Sequence, residues 1–232
     1  MWRLGYNMAG FVKKDIESWA RKEHYLYYTE KLKIEFNLTA NIEVEELLDV
    51  CHTYGYRFYP AIIYFVTRVL NGTENFRMFR DQAGDLCVWD KIVPNYTIFH
   101  KDDCTFSDCW TDYSEDFQVF YQHITQDMQI CSDKKGIKAK PGQPANFYCI
   151  SCAPWTAFTG YGSRVAGGEP AFFPIVTIGK YGASGDHMLM PVNLMVAHAV
   201  ADGYHAGLFF QNLQDELRTQ HLLDVMQNGD RH

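Results

Sequence analysis

The chain has 232 residues, 47% apolar and 21% charged, with a formal charge of −7 from 21 Lys and Arg against 28 Asp and Glu. This length and composition fit one large domain with a substantial core and exclude a disordered or collagen-like chain. No Lys/Arg cluster stands out and the longest apolar run is Ala61 to Val66, so neither nucleic acid nor a membrane is expected as a partner. The first residues, MWRLGYNMAGFVKKD, lack an apolar stretch ahead of a small-residue cleavage site, so no signal peptide is read. Seven scattered cysteines, an odd number, suit reduced thiols in a cytoplasmic protein better than a disulfide framework. The excess lies in aromatics: 5 Trp, 15 Tyr and 16 Phe need burial in a core, in a pocket for a flat ligand, or between subunits.

In chain order, Lys14 to Leu32 reads as a first helix and Phe36 to Val44 as an alternating strand. Val44 to Tyr54 has helical spacing and ends at Gly55, and Pro60 sits in the first turn of an apolar helix running to Leu70. Met78 to Asp90 reads as a hairpin turning at Ala83-Gly84-Asp85. Short strands follow at Tyr96–His100 and Thr105–Trp110, then a helix to Cys131 that Ser114 caps. Residues 132–146 are loop-like. Strands at Asn146–Cys152, Ala171–Tyr181 and His187–Ala197 follow, the last two joined by a turn over residues 182–186, and a helix runs from Gly203 to Leu217. These elements predict an α+β sandwich in a single domain spanning 1–232, a mixed sheet with helices packed on it, with about 218–232 as a loose C-terminal tail.

The segment LMVAHAVADGYHAG, Leu194 to Gly207, carries the clearest chemistry. An apolar strand ends at His198, which places an imidazole on a rigid element where it serves as a general base at neutral pH. Asp202-Gly203 opens the last helix, and Asp is a good N-cap. A core histidine next to an ordinary capping Asp is the alternative reading of this motif taken alone.

The H-x-x-x-D-G pattern resembles the signature of CoA-dependent acyltransferases, which include chloramphenicol acetyltransferases and dihydrolipoyl acyltransferase cores. Further segments are similar to the chloramphenicol branch, type A, in its order. These are Trp19-Ala20-Arg21-Lys22-Glu23-His24, Phe58-Tyr59-Pro60, Val88-Trp89-Asp90, Phe99-His100, Thr105-Phe106-Ser107, Ser151-x-x-Pro154-Trp155-x-x-Phe158, Thr177-x-x-Lys180-Tyr181 and His198-Ala199-Val200-x-Asp202-Gly203-Tyr204-His205. The resemblance runs from about residue 10 to 217 and implies the family's two-layer sandwich and a homotrimer with shared sites. It also implies transfer of acetyl from acetyl-CoA to a chloramphenicol-like hydroxyl compound, with acetyl-CoA as co-substrate, no permanently bound cofactor and no metal.

By the same resemblance, His198 is the base and Ser151 the donor to the tetrahedral oxyanion. Asp202 and Arg21 support the site as an ion pair, and Thr177 stabilises the intermediate. Tyr27, Tyr28, Leu32, Ile34, Phe36 and Phe106 line the acceptor pocket, and Lys180 and Tyr181 lie near CoA. Tyr28 and Phe36 of one subunit are expected to face His198 of the next. For each pocket residue taken alone, ordinary core is the competing reading. Ala197, Ala201 and Cys149 depart from the family's usual His, Cys and Asn, and the aromatic expected near Ile137 or Lys138 is missing. These departures leave a different hydroxyl acceptor as the rival within enzymes, and a non-catalytic binder of drug or CoA as the rival outside them.

Overall fold

A computed structural model describes residues 9–162 and 170–228. A large mixed sheet forms the centre. Its strands are β2 (Glu35–Glu43), β5 (Val93–His100), β6 (Thr105–Trp110), β7 (Phe147–Ala153), β8 (Ile175–Gly179), β9 (Gly182–Ser184) and β10 (His187–Ala197). The order is β2-β10-β8-β7-β5-β6, with β9 paired to the start of β10. The β5–β7 and β7–β8 pairs are parallel and the others antiparallel. A smaller three-stranded sheet sets β1 (Phe11–Lys13), β4 (Leu86–Trp89) and β3 (Met78–Arg80) side by side.

Alternation along the strands sends successive side chains to opposite faces. On β10, Met190, Val192, Leu194 and Val196 join the main core. That core is shared with the helices α2 (Glu45–Tyr54), α3 (Phe58–Asn71), α4 (Phe117–Cys131) and α5 (Gly203–Glu216). The other residues of each strand, among them Ser151, Thr177 and Asn193, point to the face without these helices. The α3 segment is apolar almost throughout, and ten of its residues are buried, which makes it the central helix under the sheet. A second cluster, Tyr25, Met78, Leu86, Val88, Ala197, Ala199 and Val200, packs the small sheet and the first helix against the end of β10. That packing fixes the backbone at His198.

Several expectations change. The first helix starts at Lys22, not Lys14: α1 (Lys22–Leu26) continues into a π-helical turn, Tyr27–Lys31. Before it, the Asp15 carboxylate accepts from Glu17 N at 3.0 Å and Ser18 Oγ at 2.7 Å, a local turn that competes with helix. The cap of α4 is Asp116, whose carboxylate accepts from Val119 N at 3.0 Å, while Ser114 sits two residues earlier and accepts from Asp116 N. Strand β8 is shorter than its hydrophobic run because Pro174, which lacks an N–H, precedes it.

The expected loose tail is also overturned. Residues Thr219–Asn228 form α6, and Leu222, Val225 and Met226 are buried in the main core. The side chain of Gln118 on α4 donates to the Met226 carbonyl. Apolar residues at helical spacing drove this docking; residues 229–232 lie outside the described residues. Among the described residues no helix is long and apolar enough to cross a membrane.

Candidate active site

Backbone pairing between β10 and β2 runs to Ala197↔Glu35, and His198 N then donates to the Ile34 carbonyl at 3.0 Å. The imidazole is thus carried at the edge of a rigid sheet. Its ring stacks on Tyr28 with centroids 4.0 Å apart and planes 6° apart, and Phe36 approaches at 5.2 Å. Nδ1 of His198 is buried and has no partner among the described residues.

Tyr28 and Phe36 belong to the same chain as the histidine they touch, so the expectation that they face His198 of a neighbouring subunit is corrected. The reason lies in the register. Phe36 is paired with Val196 on the neighbouring strand, and the π-helical turn carries Tyr28 back over the strand end. Tyr27 sets its edge against Tyr28 at 5.2 Å and is half exposed, as is Leu32. Tyr28, Phe36 and the backbone of Ile34 are thus the neighbours of His198 on this side.

Asp202 caps α5, accepting from Tyr204 N at 3.0 Å through Oδ1. Its Oδ2 accepts from the Arg21 guanidinium, and Arg21 Nη2 also donates to the His198 carbonyl at 3.3 Å. One guanidinium therefore ties the helix cap to the backbone of the candidate base. His205 places Nδ1 2.8 Å from Asp202 Oδ1, a contact the sequence reading did not identify although His205 lies in the motif. Burial alone would raise the Asp202 carboxyl, but the His205 hydrogen bond and the Arg21 charge outweigh it and hold it at about 2.

The pair's side chains are 13% and 31% exposed for Arg21 and Asp202. Breaking it by Arg21→Ala is expected to cost about 1–3 kcal/mol, less than a fully buried pair, because solvent screens part of it. The pH dependence has a fixed sign. A carboxyl depressed below its ordinary 3.8 contributes stability that is present above that value and is lost as pH falls towards 2. Wild type and Asp202→Asn should therefore differ in melting temperature at neutral pH and converge between about pH 4 and pH 2. Equal melting at neutral pH would show that the pair contributes nothing.

Ser151 lies at the other side of the molecule's sheet. It is half-buried in β7, opposite Thr177 of β8, which is opposite Asn193 of β10, which is opposite Thr39 of β2. Asn193, almost fully buried, donates to Thr39 Oγ1 at 2.9 Å and to the Tyr161 carbonyl at 3.0 Å. It anchors the segment after Pro154-Trp155 across the helix-free face, a role the sequence reading missed. Gly179 is needed below that segment, since a Cβ there would come within 2.8 Å of the Phe158 ring.

The register separates the two key groups. From Ser151 to His198 is two strands across and five residues along, roughly 10 Å by 16 Å, or about 19 Å between Cα atoms. One chain does not bring both side chains to one carbonyl carbon. Phe106 is half exposed on the β6 edge, beyond Ser151, and faces away from the main core like its partner Phe99. Lys180 is exposed with its N–H on the Thr156 carbonyl, and Tyr181 sets its edge on Phe58 at 5.2 Å. Both lie at the end of β8. Among the described residues no cluster of His, Cys, Asp and Glu is arranged to hold a metal.

This arrangement is that of the CoA-dependent acyltransferase fold. The chain is similar to a solved chloramphenicol acetyltransferase with a TM-score of 0.75 and 23% identity, over 90% of this chain and 99% of that one. It also matches a dihydrolipoamide acetyltransferase of Azotobacter vinelandii with a TM-score of 0.62 and 16% identity, over 87% of each chain. In sequence, residues 9–214 match the family described as chloramphenicol acetyltransferase. A chloramphenicol acetyltransferase of Clostridium perfringens is 40% identical over 201 residues, 87% of this chain and 92% of the relative. One of Staphylococcus aureus is 37% identical over 205 residues, 88% and 94% of the two chains. The chain belongs to the chloramphenicol acetyltransferase family. Its last helix, α6, lies beyond the matched residues.

Proposed function

We propose that the protein transfers acetyl from acetyl-CoA to a hydroxyl of chloramphenicol, in the cytoplasm, as a homotrimer whose sites lie between subunits. The observation that carries this reading is the His198 site: an imidazole stacked on Tyr28, with its backbone tied through Arg21 to the Asp202 cap. A neutral hydroxyl is a weak nucleophile, so Nε2 of His198 takes its proton as oxygen attacks the thioester carbonyl. The carbonyl π electrons move onto oxygen, and the Ser151 hydroxyl donates to that oxyanion. Thr177, next to Ser151 across the β7–β8 pair, supports the same intermediate. Collapse breaks the C–S bond, and the His198 imidazolium returns its proton to the CoA thiolate.

The distance between Ser151 and His198 within one chain supports the shared site. The helix-free face that carries Ser151 is the face a second copy would meet, bringing its own His198 with it. In this arrangement Tyr27, Tyr28, Leu32, Ile34 and Phe36 come with the histidine and Phe106 comes with the serine. Lys180 and Tyr181 serve the CoA end. A second reading keeps the chemistry and changes the acceptor. It rests on Cys149, two residues before Ser151 on the same face, and on the absence of the aromatic expected near Ile137 or Lys138, where Ile137 is exposed.

A thiol-release assay with acetyl-CoA tests both. Release that depends on chloramphenicol supports the first reading. Release only with another hydroxyl compound supports the second. No release with any acceptor, from protein that binds acetyl-CoA, would leave a binder.

A further inference from the structure

Two residues of the motif segments Phe99-His100 and Thr105-Phe106-Ser107, His100 and Ser107, have no role in the chemistry above, yet the fold joins them on the buried side of one hairpin. Strands β5 and β6 pair Ile98 with Ser107, Phe99 with Phe106 and His100 with Thr105. Because side chains alternate, Phe99 and Phe106 point outward while His100 and Ser107 lie behind them. His100 and Ser107 are diagonal neighbours, 3% and 0% exposed, and His100 Nε2 is 2.7 Å from Ser107 Oγ.

The pair does not end in itself. His100 Nδ1 lies 3.1 Å from the carbonyl of Ser132, the residue that closes α4, and Ser107 Oγ donates to the Lys134 carbonyl at 2.9 Å. Both carbonyls belong to the segment leaving α4. That segment then runs along the β6 edge, where Asp108 N donates to the Ile137 carbonyl at 2.7 Å and Ala139 N to the Asp108 carbonyl at 2.9 Å. The two side chains thus bolt the hairpin to the edge segment from the inside. Exposed Lys135 repeats the link from the outside, pairing with Asp102 at 2.5 Å and Asp103 at 3.0 Å at the hairpin tip.

A buried polar pair with four hydrogen-bonding groups facing one another is costly unless its geometry is kept, so it holds its surroundings to one arrangement. What it holds is the backbone of Phe106 and the segment bearing Ile137 and Lys138. We propose that His100 and Ser107 are positioning residues for the acceptor: their buried clasp sets where Phe106 and the 132–140 segment stand, and thereby how tightly the acceptor is held. They touch neither substrate. The proposal rests on the reading that Phe106 lines the acceptor site.

The test uses the full assembled protein and measures kcat and the two KM values separately in Ser107→Ala, His100→Leu and His100→Gln. The expected result for Ser107→Ala is an acceptor KM for chloramphenicol raised about tenfold, with the acetyl-CoA KM and kcat at saturation changed by less than about twofold. His100→Gln, which keeps a polar group near the Nε2 position, should recover part of the shift seen in His100→Leu. Ser107→Ala removes a single oxygen and remains informative if His100→Leu fails to fold. An unmoved acceptor KM in an active, folded Ser107→Ala overturns the proposal while leaving the acetyltransferase reading intact, as does an equal rise in both KM values. A wild-type protein that releases no thiol with chloramphenicol overturns the acceptor reading and this proposal together.

Discussion

Replacing His198 by Ala is expected to lower turnover by a factor of about 10²–10⁴, the usual worth of a positioned general base. The substitution removes the ring stacked on Tyr28 and leaves the backbone contacts, because His198 N still donates to Ile34 and Arg21 still reaches the residue 198 carbonyl. The loss of one aromatic contact is worth about 0.5–1.5 kcal/mol, so melting should fall only slightly. The measurement is kcat at saturating substrates beside a melting curve. A folded variant that keeps most of its turnover at neutral pH would remove His198 from the mechanism. The same variant should bind acetyl-CoA about as well as the wild type, since a base acts on the reacting proton rather than on the bound thioester.

Ser151→Ala carries the second large effect. An oxyanion donor makes its strongest bond only when charge has developed on oxygen, so its loss should appear in kcat, by about 10²–10³, with KM for either substrate nearly unchanged. Ser151 is half-buried on the helix-free side of β7, and Ala has high tolerance there because the backbone ladder to β8 does not involve the hydroxyl. A rise confined to the acceptor KM would instead make Ser151 a binding residue. The contrast with Ser107→Ala is direct: one serine should act on kcat and the other on the acceptor KM.

The fold was largely legible where the period of hydrophobicity was unmixed. The apolar α3, the alternating β2 and the long β10 all lie close to the segments their patterns mark, and the Gly55 stop of α2 is a left-handed cap with φ of 73°. Legibility failed where a local hydrogen bond or a tertiary contact decides. Asp15 makes a turn in a segment with helical composition. The chain after Leu217 reads as a loose tail, yet three apolar residues at helical spacing sit in the core beside α4. For the site, the H-x-x-x-D-G and W-x-R motifs marked His198, Asp202 and Arg21, and the structure brings these three together. The partners His205 and Asn193 were not legible, because their roles depend on which atoms they meet and not on spacing. The subunit to which Tyr28 belongs relative to His198 was likewise set by the β2–β10 register, which no motif encodes.

On the proposed reading a working site takes His198 from one subunit and Ser151 from another, and mixed trimers separate this from a site within one chain. His198→Ala and Ser151→Ala proteins, each nearly inactive alone, would be dissociated, mixed in equal amounts and reassembled, with composition checked by mass. In a closed ring of three, each mixed trimer regains one interface with an intact His198 and an intact Ser151, so random mixing should restore about a quarter of wild-type activity. If mixed trimers stay as inactive as their parents, both residues act within one chain and the shared site is contradicted.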